Sequence, residues 1–392
     1  MSPILPGSTI GLFGGGQLGR MTAMAARGLG YHIVALDPDP SCAARFVVDR
    51  TLTAAFDDAT AGAALGAASD VVSLEIESIA LPALEAASRH APVRPNGDVL
   101  GIVQDRGVQR RWLAQHGFPT GPFRVVSHAT ELAPAAADLG SELFVKSCQG
   151  GYDGRSQVRV RSADALPAAF ASLGHRPCVL ETALPLDGEL SVLVARRPSG
   201  EVAVYPPAFN HHDNRILTWS VLPAPIAPAL AQQAQELGRA IASALAIEGL
   251  LVIELFLVGG TLLVNELAPR PHNSFHMTEV GAYTSQFEQH VRAVCDLPLG
   301  SAAVHTPAAI VNLLGDLWAH TPAFDRALAL PGIRLHLYGK RVARSGRKMG
   351  HLSAVGSTPE DAVARVMAGH AALQASSPIA PDATGPGPRA ST

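Results

Sequence analysis

Residues 249–276 hold two apolar runs separated by Gly259 and Gly260 and followed by a polar stretch. Apolar runs around a Gly-Gly pair read as two β-strands joined by a turn. Each run contains one carboxylate, Glu254 and Glu266. A buried carboxylate costs several kcal/mol unless a cation or hydrogen bonds compensate it, so two on paired strands point to a bound metal. The turn sets whether they meet. A two-residue turn at Gly259 and Gly260 pairs Glu254 with Asn265 and sends Glu266 to the other face. A three-residue turn reaching Thr261 pairs Val258 with Leu262 and puts Glu254 opposite Glu266. Three-residue hairpin loops with a glycine are common, so this second register is expected, with Mg²⁺ between the carboxylates. The alternative is a sheet with two surface glutamates.

At 392 residues the chain is long enough for two or three domains. A hydrophobic fraction of 47% with 16% charged residues fits a globular protein. The net charge of −3 makes no electrostatic case for nucleic acid or an anionic membrane. Cys42, Cys148, Cys178 and Cys295 form no CxxC pair, which argues against structural zinc and for reduced thiols. The start of the chain lacks a signal-peptide pattern. The most apolar window, 245–264, is broken by Glu248, Glu254 and the glycine pair, against a membrane span. A soluble, cytoplasmic protein is the expectation.

Residues 9–13 form a short apolar strand, and Gly14, Gly16 and Gly19 follow at GxGxxG spacing before a helix at 20–29 and a strand at 31–37. This is a βαβ unit whose glycines admit a ligand close to the backbone at a helix N-terminus. Asp37 stands where a dinucleotide fold places its ribose acid, so an NAD-dependent dehydrogenase is one reading of this segment. Residues 70–77 read as a strand ending in Glu75 and Glu77, which alternate to the same side and face a ligand crevice. The alternative for them is helix capping or a surface pair.

Residues 104–116 read as a helix bearing Arg106, Arg110 and Arg111. A strand at 143–147 carries Lys146 and runs into a second glycine-rich loop, with Gly150, Gly151 and Gly154, before a strand at 157–161. Loop amides and a nearby lysine suit phosphate oxygens, although the loop lacks the Walker A pattern. The alternative is a glycine-rich hairpin with a solvated lysine. Beyond it, Glu181, the Leu184 main chain and Glu189 have plausible spacing for an adenine amino group, its ring nitrogen and a ribose. In the adjacent His211, His212 and Asp213, neighbouring strand side chains diverge, which favours a phosphate or substrate contact by His212 over a metal. Residues 229–246 have helical period. Strands at 308–314 and 332–338 and a helix at 359–373 read as a small third domain. The Ala-, Ser-, Pro- and Gly-rich end from 374 reads as a disordered tail.

Together these parts resemble the ATP-grasp enzymes, and among them the 5-(carboxyamino)imidazole ribonucleotide synthase family of purine biosynthesis. The motifs are 14–21, 75–77, 150–155, 265–274 and 346–351, so the resemblance spans nearly the whole chain. It implies an α/β fold of the α+β ATP-grasp type. A Rossmann-like N-terminal domain (1–104) would precede an ATP-grasp domain (105–298, lid about 120–182), a small β-rich C-terminal domain (299–373) and the tail (374–392). It implies carboxylation of the exocyclic amine of 5-aminoimidazole ribonucleotide through carboxyphosphate, with Mg²⁺ or Mn²⁺ and a homodimer of cytoplasmic location.

By the same resemblance, ATP would be held by Arg106, Lys146, Gly151, Tyr152, Asp153, Gly154, Arg155, Ser156, Gln157, the segment Glu181, Thr182, Ala183 and Leu184, and by Glu189, His212, Asn265 and Glu266. Glu254 and Glu266 would bind the metal. Gly16, Gln17, Leu18, Glu75, Asp153, Arg155, Asn273 and Ser274 would hold the ribonucleotide, its phosphate clamped by Lys340, Arg347 and Lys348. Lys146, Asp153, Arg270 and His272 would serve catalysis, Arg270 on bicarbonate. This chain departs from the pattern at Ser156 (usually glycine), at Arg110 (commonly lysine) and by one extra residue between Lys340 and Arg347. A formyl transferase acting on a purine precursor is the nearest rival, and the 346–348 loop disfavours it.

Overall fold

The computed structural model describes residues 2–150 and 156–374. The first unit is a parallel sheet of Thr9–Phe13 (β1), His32–Asp37 (β2), Arg50–Thr53 (β3) and Val71–Leu74 (β4), in the order β3-β2-β1-β4. Its central strands are apolar throughout because helices cover both faces of such a sheet. The helix after the glycine turn spans Gln17–Gly28, three residues earlier than its apolar period suggests.

The second sheet is antiparallel and holds Phe123–Val126 (β5), Leu143–Ser147 (β6), Gln157–Val160 (β7) and Cys178–Thr182 (β8), in the order β5-β8-β6-β7. Its apolar face packs on the helices Leu132–Leu139 and Leu166–Ser172 through Leu139, Phe170 and Leu180. The other face is left for charged side chains, among them Lys146.

The third sheet contains Gly188–Arg196 (β9), Val202–Val204 (β10), Ala208–Asp213 (β11), Ile216–Leu222 (β12), Gly249–Val258 (β13), Thr261–Ala268 (β14), Ala308–Leu314 (β15), Arg334–Leu337 (β16) and Lys348–Val355 (β17). Its order is β14-β13-β9-β11-β12-β15-β17-β16, with β10 on β9. The strands expected to form a third domain thus extend this sheet, β15 pairing directly with β12. The helix Pro359–Gln374 closes their outer face through Val366 and Leu373. Gln374, placed in the tail by its composition, ends that helix, and residues 375–392 lie outside the described residues. Among the described residues no helix is long and apolar enough to cross a membrane.

The β13–β14 hairpin corrects the expected turn and keeps its consequence. Val258 pairs with Thr261, so the turn is the two-residue Gly259–Gly260 form, with φ of +55° and +78°. Positive φ at both centres suits the right-handed twist of the strands and favours glycine. The register then slips between Leu255 and Glu254, where Asn265 is the extra residue, and Glu254 pairs with Glu266. The bulge also explains the apolar pattern. Leu262 and Val264 lie in the core cluster that also holds Leu113 and, from the helix Pro228–Ala244, Ile241, and after the bulge Leu267 takes that face. Glu266 is thereby turned to the face it shares with Glu254.

Gly260 has open space around its α-carbon, so substitution there tests backbone strain alone. Gly260→Val is expected to cost about 1–2 kcal/mol, read as a lower thermal unfolding midpoint. Gly260→Asn, which tolerates positive φ, should cost less.

Candidate active site

Glu254 sits on the sheet face away from the helix Pro228–Ala244, beside the polar loop that follows β14. Burial and the Glu266 carboxylate push its pKa up to about 7. Asn265, the bulged residue, donates from Nδ2 to Glu254 Oε2 at 3.2 Å. His272 Nε2 lies 3.5 Å from Oε1, and Arg106 Nη2 lies 3.8 Å from Glu266 Oε2. Two facing carboxylates, one of them held by burial beside the charge of the other, form an oxygen donor set suited to a hard divalent cation, and Mg²⁺ fits it. Two strands away, the β11 bulge turns His212 towards Glu189, Nδ1 to Oε1 at 3.1 Å. Burial lowers the His212 pKa, but the bond and charge of Glu189 outweigh that and raise it. His211 goes the other way and stacks on Trp219.

The glycine turn after β1 holds the chain's own acids. Gly16 N–H donates to Glu75 Oε1 at 2.6 Å and Gly19 N–H to Oε2 at 2.7 Å. A side chain on Gly16 would collide with that carboxylate, so the glycine is needed for close approach by Glu75. Asp37 accepts from Gly15 N–H at 2.7 Å and from Asp39 N–H at 2.8 Å. The seat of a dinucleotide pyrophosphate and the ribose acid are both engaged internally, which removes the dehydrogenase reading. Burial raises the Glu75 pKa to about 7 against these amides. β4 ends at Leu74, so both acids lie beyond the strand. Glu77 meets Arg270, Oε1 to Nε at 2.7 Å, and the charge of Arg270 also acts on Glu75. Leu18 is buried with Met21, Phe287 and Tyr338, so its side chain belongs to the core.

In the β5-β8-β6-β7 sheet, the expectation for Glu181 is a carboxylate offered to an adenine amino group. Both of its oxygens face cations instead. Lys146 Nζ is 2.5 Å from Oε2, and Arg110 donates to Oε1 from Nε at 2.8 Å, with Nη2 at 2.7 Å. Burial would raise its pKa, but Arg110 and then Lys146 overcome that and hold Glu181 at about 2. Burial pulls Lys146 below its ordinary value against the pull of Glu181. Arg106 reaches the same strand end, Nη1 donating to Ser147 O at 2.7 Å. Ser147 N–H donates to Ser156 O at 3.0 Å, so Ser156 and Gln157 resume the hairpin on its far side. Gly151, Tyr152, Asp153, Gly154 and Arg155 lie outside the described residues. Thr182, Ala183 and Leu184 continue from β8, with Thr182 Oγ1 donating to Leu139 O.

After β14, His272 Nδ1 is 2.8 Å from Ser274 Oγ, and burial drives its pKa well down, helped by Arg270 and Lys348. Asn273 forms a reciprocal amide pair with Asn312, at 2.9 and 2.6 Å. The side chains of Asn273 and Ser274, expected on substrate, are thus engaged within the protein. Lys340 Nζ donates to Lys348 O at 2.8 Å, and Arg347 Nη1 to Val342 O at 2.8 Å. Lys340 and Arg347 lie before β17, whereas Lys348 begins that strand, is buried, and its charge acts on Glu254 and His272. Sequence reading missed the column beside it, in which His276 stacks on His351 at 4.8 Å and His351 on His336 at 5.2 Å. These histidines come from separate segments, so no spacing announces them; the cross-strand pairing of His336 with His351 creates the stack.

Family models match along the chain: a ribonucleotide synthetase preATP-grasp domain at 7–104, an ATP-grasp domain at 111–287 and a phosphoribosylaminoimidazole carboxylase C-terminal domain at 308–365. The N5-carboxyaminoimidazole ribonucleotide synthase of Brucella melitensis is 43% identical over 353 residues, covering 89% of this chain and 97% of that one. The chain belongs to the N5-carboxyaminoimidazole ribonucleotide synthase family.

The Bacillus subtilis synthase is 39% identical over 362 residues, covering 91% of this chain and 94% of its own. Among solved synthetases of the family, an ADP complex superposes with a TM-score of 0.89 at 39% identity, covering 94% of this chain and 98% of that one. The Aspergillus clavatus enzyme, in complex with ADP and 5-aminoimidazole ribonucleotide, gives 0.87 at 31% identity, covering 93% and 98%. The family reading replaces the formyl transferase alternative, and the fold is that of an ATP-grasp ligase.

Because Glu189 is the largest influence raising the His212 pKa against burial, Glu189→Gln should lower it. NMR titration of the His212 ring checks this shift.

Proposed function

We propose that this chain uses ATP and bicarbonate to carboxylate the exocyclic amine of 5-aminoimidazole ribonucleotide, releasing ADP and phosphate. The observation that carries the site assignment is the Glu254–Glu266 pair facing each other beside Arg106. Glu254 and Glu266 would hold Mg²⁺, with Mn²⁺ as a substitute, and Asn265 alongside. Bound there, the ion would neutralise charge on the nucleotide's phosphates.

Lys146 and Arg106 are proposed to meet those phosphates, together with the 151–157 loop. The main chain of 181–184 reads the base, and Glu189, held by His212, takes the ribose hydroxyls. Arg270, oriented by Glu77, would bind bicarbonate with His272 nearby. Bicarbonate is a poor electrophile because hydroxide leaves badly. Attack of its oxygen on the γ-phosphorus forms an O–P bond, breaks the bond to ADP and makes carboxyphosphate. The positive groups of Lys146 and Arg270 offset charge that builds up during this transfer. Carboxyphosphate, directly or through CO₂ released in the site, then meets the amine; a C–N bond forms, phosphate leaves and the amine gives up a proton.

The ribonucleotide is proposed to lie between Gly16, Gln17, Glu75 and the Lys340, Arg347 and Lys348 loop, with Asp153 orienting the amine and Arg155 beside it. Asn273 and Ser274 would shape this seat through the groups they fix. We propose domain limits of 1–104, 105–298 and 299–374. The family resemblance supports a homodimer acting in the cytoplasm.

Phosphate release with ATP, Mg²⁺ and bicarbonate should be stimulated strongly by 5-aminoimidazole ribonucleotide. No stimulation, with turnover of a formate and acceptor pair instead, would overturn the assignment. Glu266→Ala should abolish activity, and a variant keeping most of it would remove the metal role.

A further inference from the structure

Arg110, Glu181 and Lys146 form a buried charge triad, each residue less than a tenth exposed. The carboxylate divides its oxygens. Arg110 takes Oε1, at 2.7 and 2.8 Å, and Lys146 takes Oε2, at 2.5 Å. Arg110 is itself anchored, since its Nη1 donates to Val264 O at 2.7 Å. Val264 precedes the bulge that places Glu266, and its own N–H donates to Pro119 O at 2.8 Å. Arg110 therefore ties the β5-β8-β6-β7 sheet to the strand carrying the proposed metal ligand.

We infer that Arg110 is a positioning residue for phosphate binding: by holding Glu181 it lets Lys146 leave that carboxylate for a nucleotide phosphate. This rests on reading Lys146 as a phosphate ligand. In the structure Lys146 is committed to Glu181, so it must loosen or share that contact to reach a phosphate. Breaking a buried ion pair is strongly unfavourable when it strands the remaining charge. With Arg110 fixed on the other oxygen, the carboxylate stays compensated whether Lys146 is on it or turned away. A lysine at position 110 carries its three donors on one nitrogen and lacks the spread by which the planar fork serves Oε1 and Val264 O from separate nitrogens. Arg110 thus makes a pair of contacts that a lysine there would make less well.

The test compares binding of ATP and adenosine to wild type, Lys146→Ala, Arg110→Met and Arg110→Lys, by competition against a fluorescent ATP analogue. Lys146→Ala should weaken ATP about tenfold or more and spare adenosine. Arg110→Met should reproduce that phosphate-specific loss although it removes no phosphate ligand, with Arg110→Lys in between. A loss confined to ATP separates positioning from general disruption, which would weaken adenosine equally. If Arg110→Met does not fold, the ATP-to-adenosine ratio of Arg110→Lys decides in its place. An unchanged ATP affinity in Lys146→Ala overturns the phosphate role of Lys146 and this inference with it. Loss in Lys146→Ala alone, or equal loss of both ligands in the Arg110 variants, overturns this inference and leaves the phosphate role standing.

Discussion

One extra residue in β14 governs the geometry of the site. The strand must keep Leu262, Val264 and Leu267 in the core, yet it must bring Glu266 to the face where Glu254 lies. In a regular strand, side chains alternate, and Glu266 would fall on the same face as Leu262 and Val264. The bulge at Asn265 changes the parity once, so apolar residues on both sides of it stay buried while the carboxylate is turned outwards. Asn265 then uses its position to bond Glu254. Facing carboxylates are unfavourable alone; Arg106 stands 3.8 Å from Glu266, and the charges of His212 and Lys348 act on Glu254.

Around that pair, buried acids are matched one by one to donors from other segments. Glu75 takes two amides of the glycine turn, Glu77 takes Arg270, and Glu181 takes Arg110 and Lys146. Matching of this kind fixes the units against one another, because each partner comes from a different element. The first sheet is fastened in the same manner, with Arg94 on Glu248 at 3.0 Å and Ser73 within 2.9 Å of His290. A shift of any one element would leave a buried charge or polar atom without compensation, which costs more than the pair contributes when intact.

Family relation and residue geometry support each other unequally. The relatives establish the ATP-grasp ligase class over nearly the full chain. Geometry adds what likeness cannot: Glu181 serves the lysine and arginine beside it, and Asn273 serves Asn312. These are roles of charge and hydrogen bonding within the protein, and they set where the groups that meet substrate can stand.

The sequence by itself determined the βαβ start, its glycine turn, the strands on either side of the Lys146 loop and the apolar hairpin with its two carboxylates. Each is a local pattern of period, turn residues and burial, which short-range sterics and hydrophobicity dictate. The bulge was also written there, in the change of apolar parity between Val264 and Leu267, although a turn one residue longer would pair Glu254 with Glu266 equally well. Only the tertiary structure decided that Glu75 fills its own glycine turn, that Glu77 meets Arg270, and that His276, His336 and His351 stack. It also decided that β15 to β17 extend the central sheet. These outcomes depend on which distant segments arrive at one place, and pairing between strands far apart in the chain leaves no local period to read.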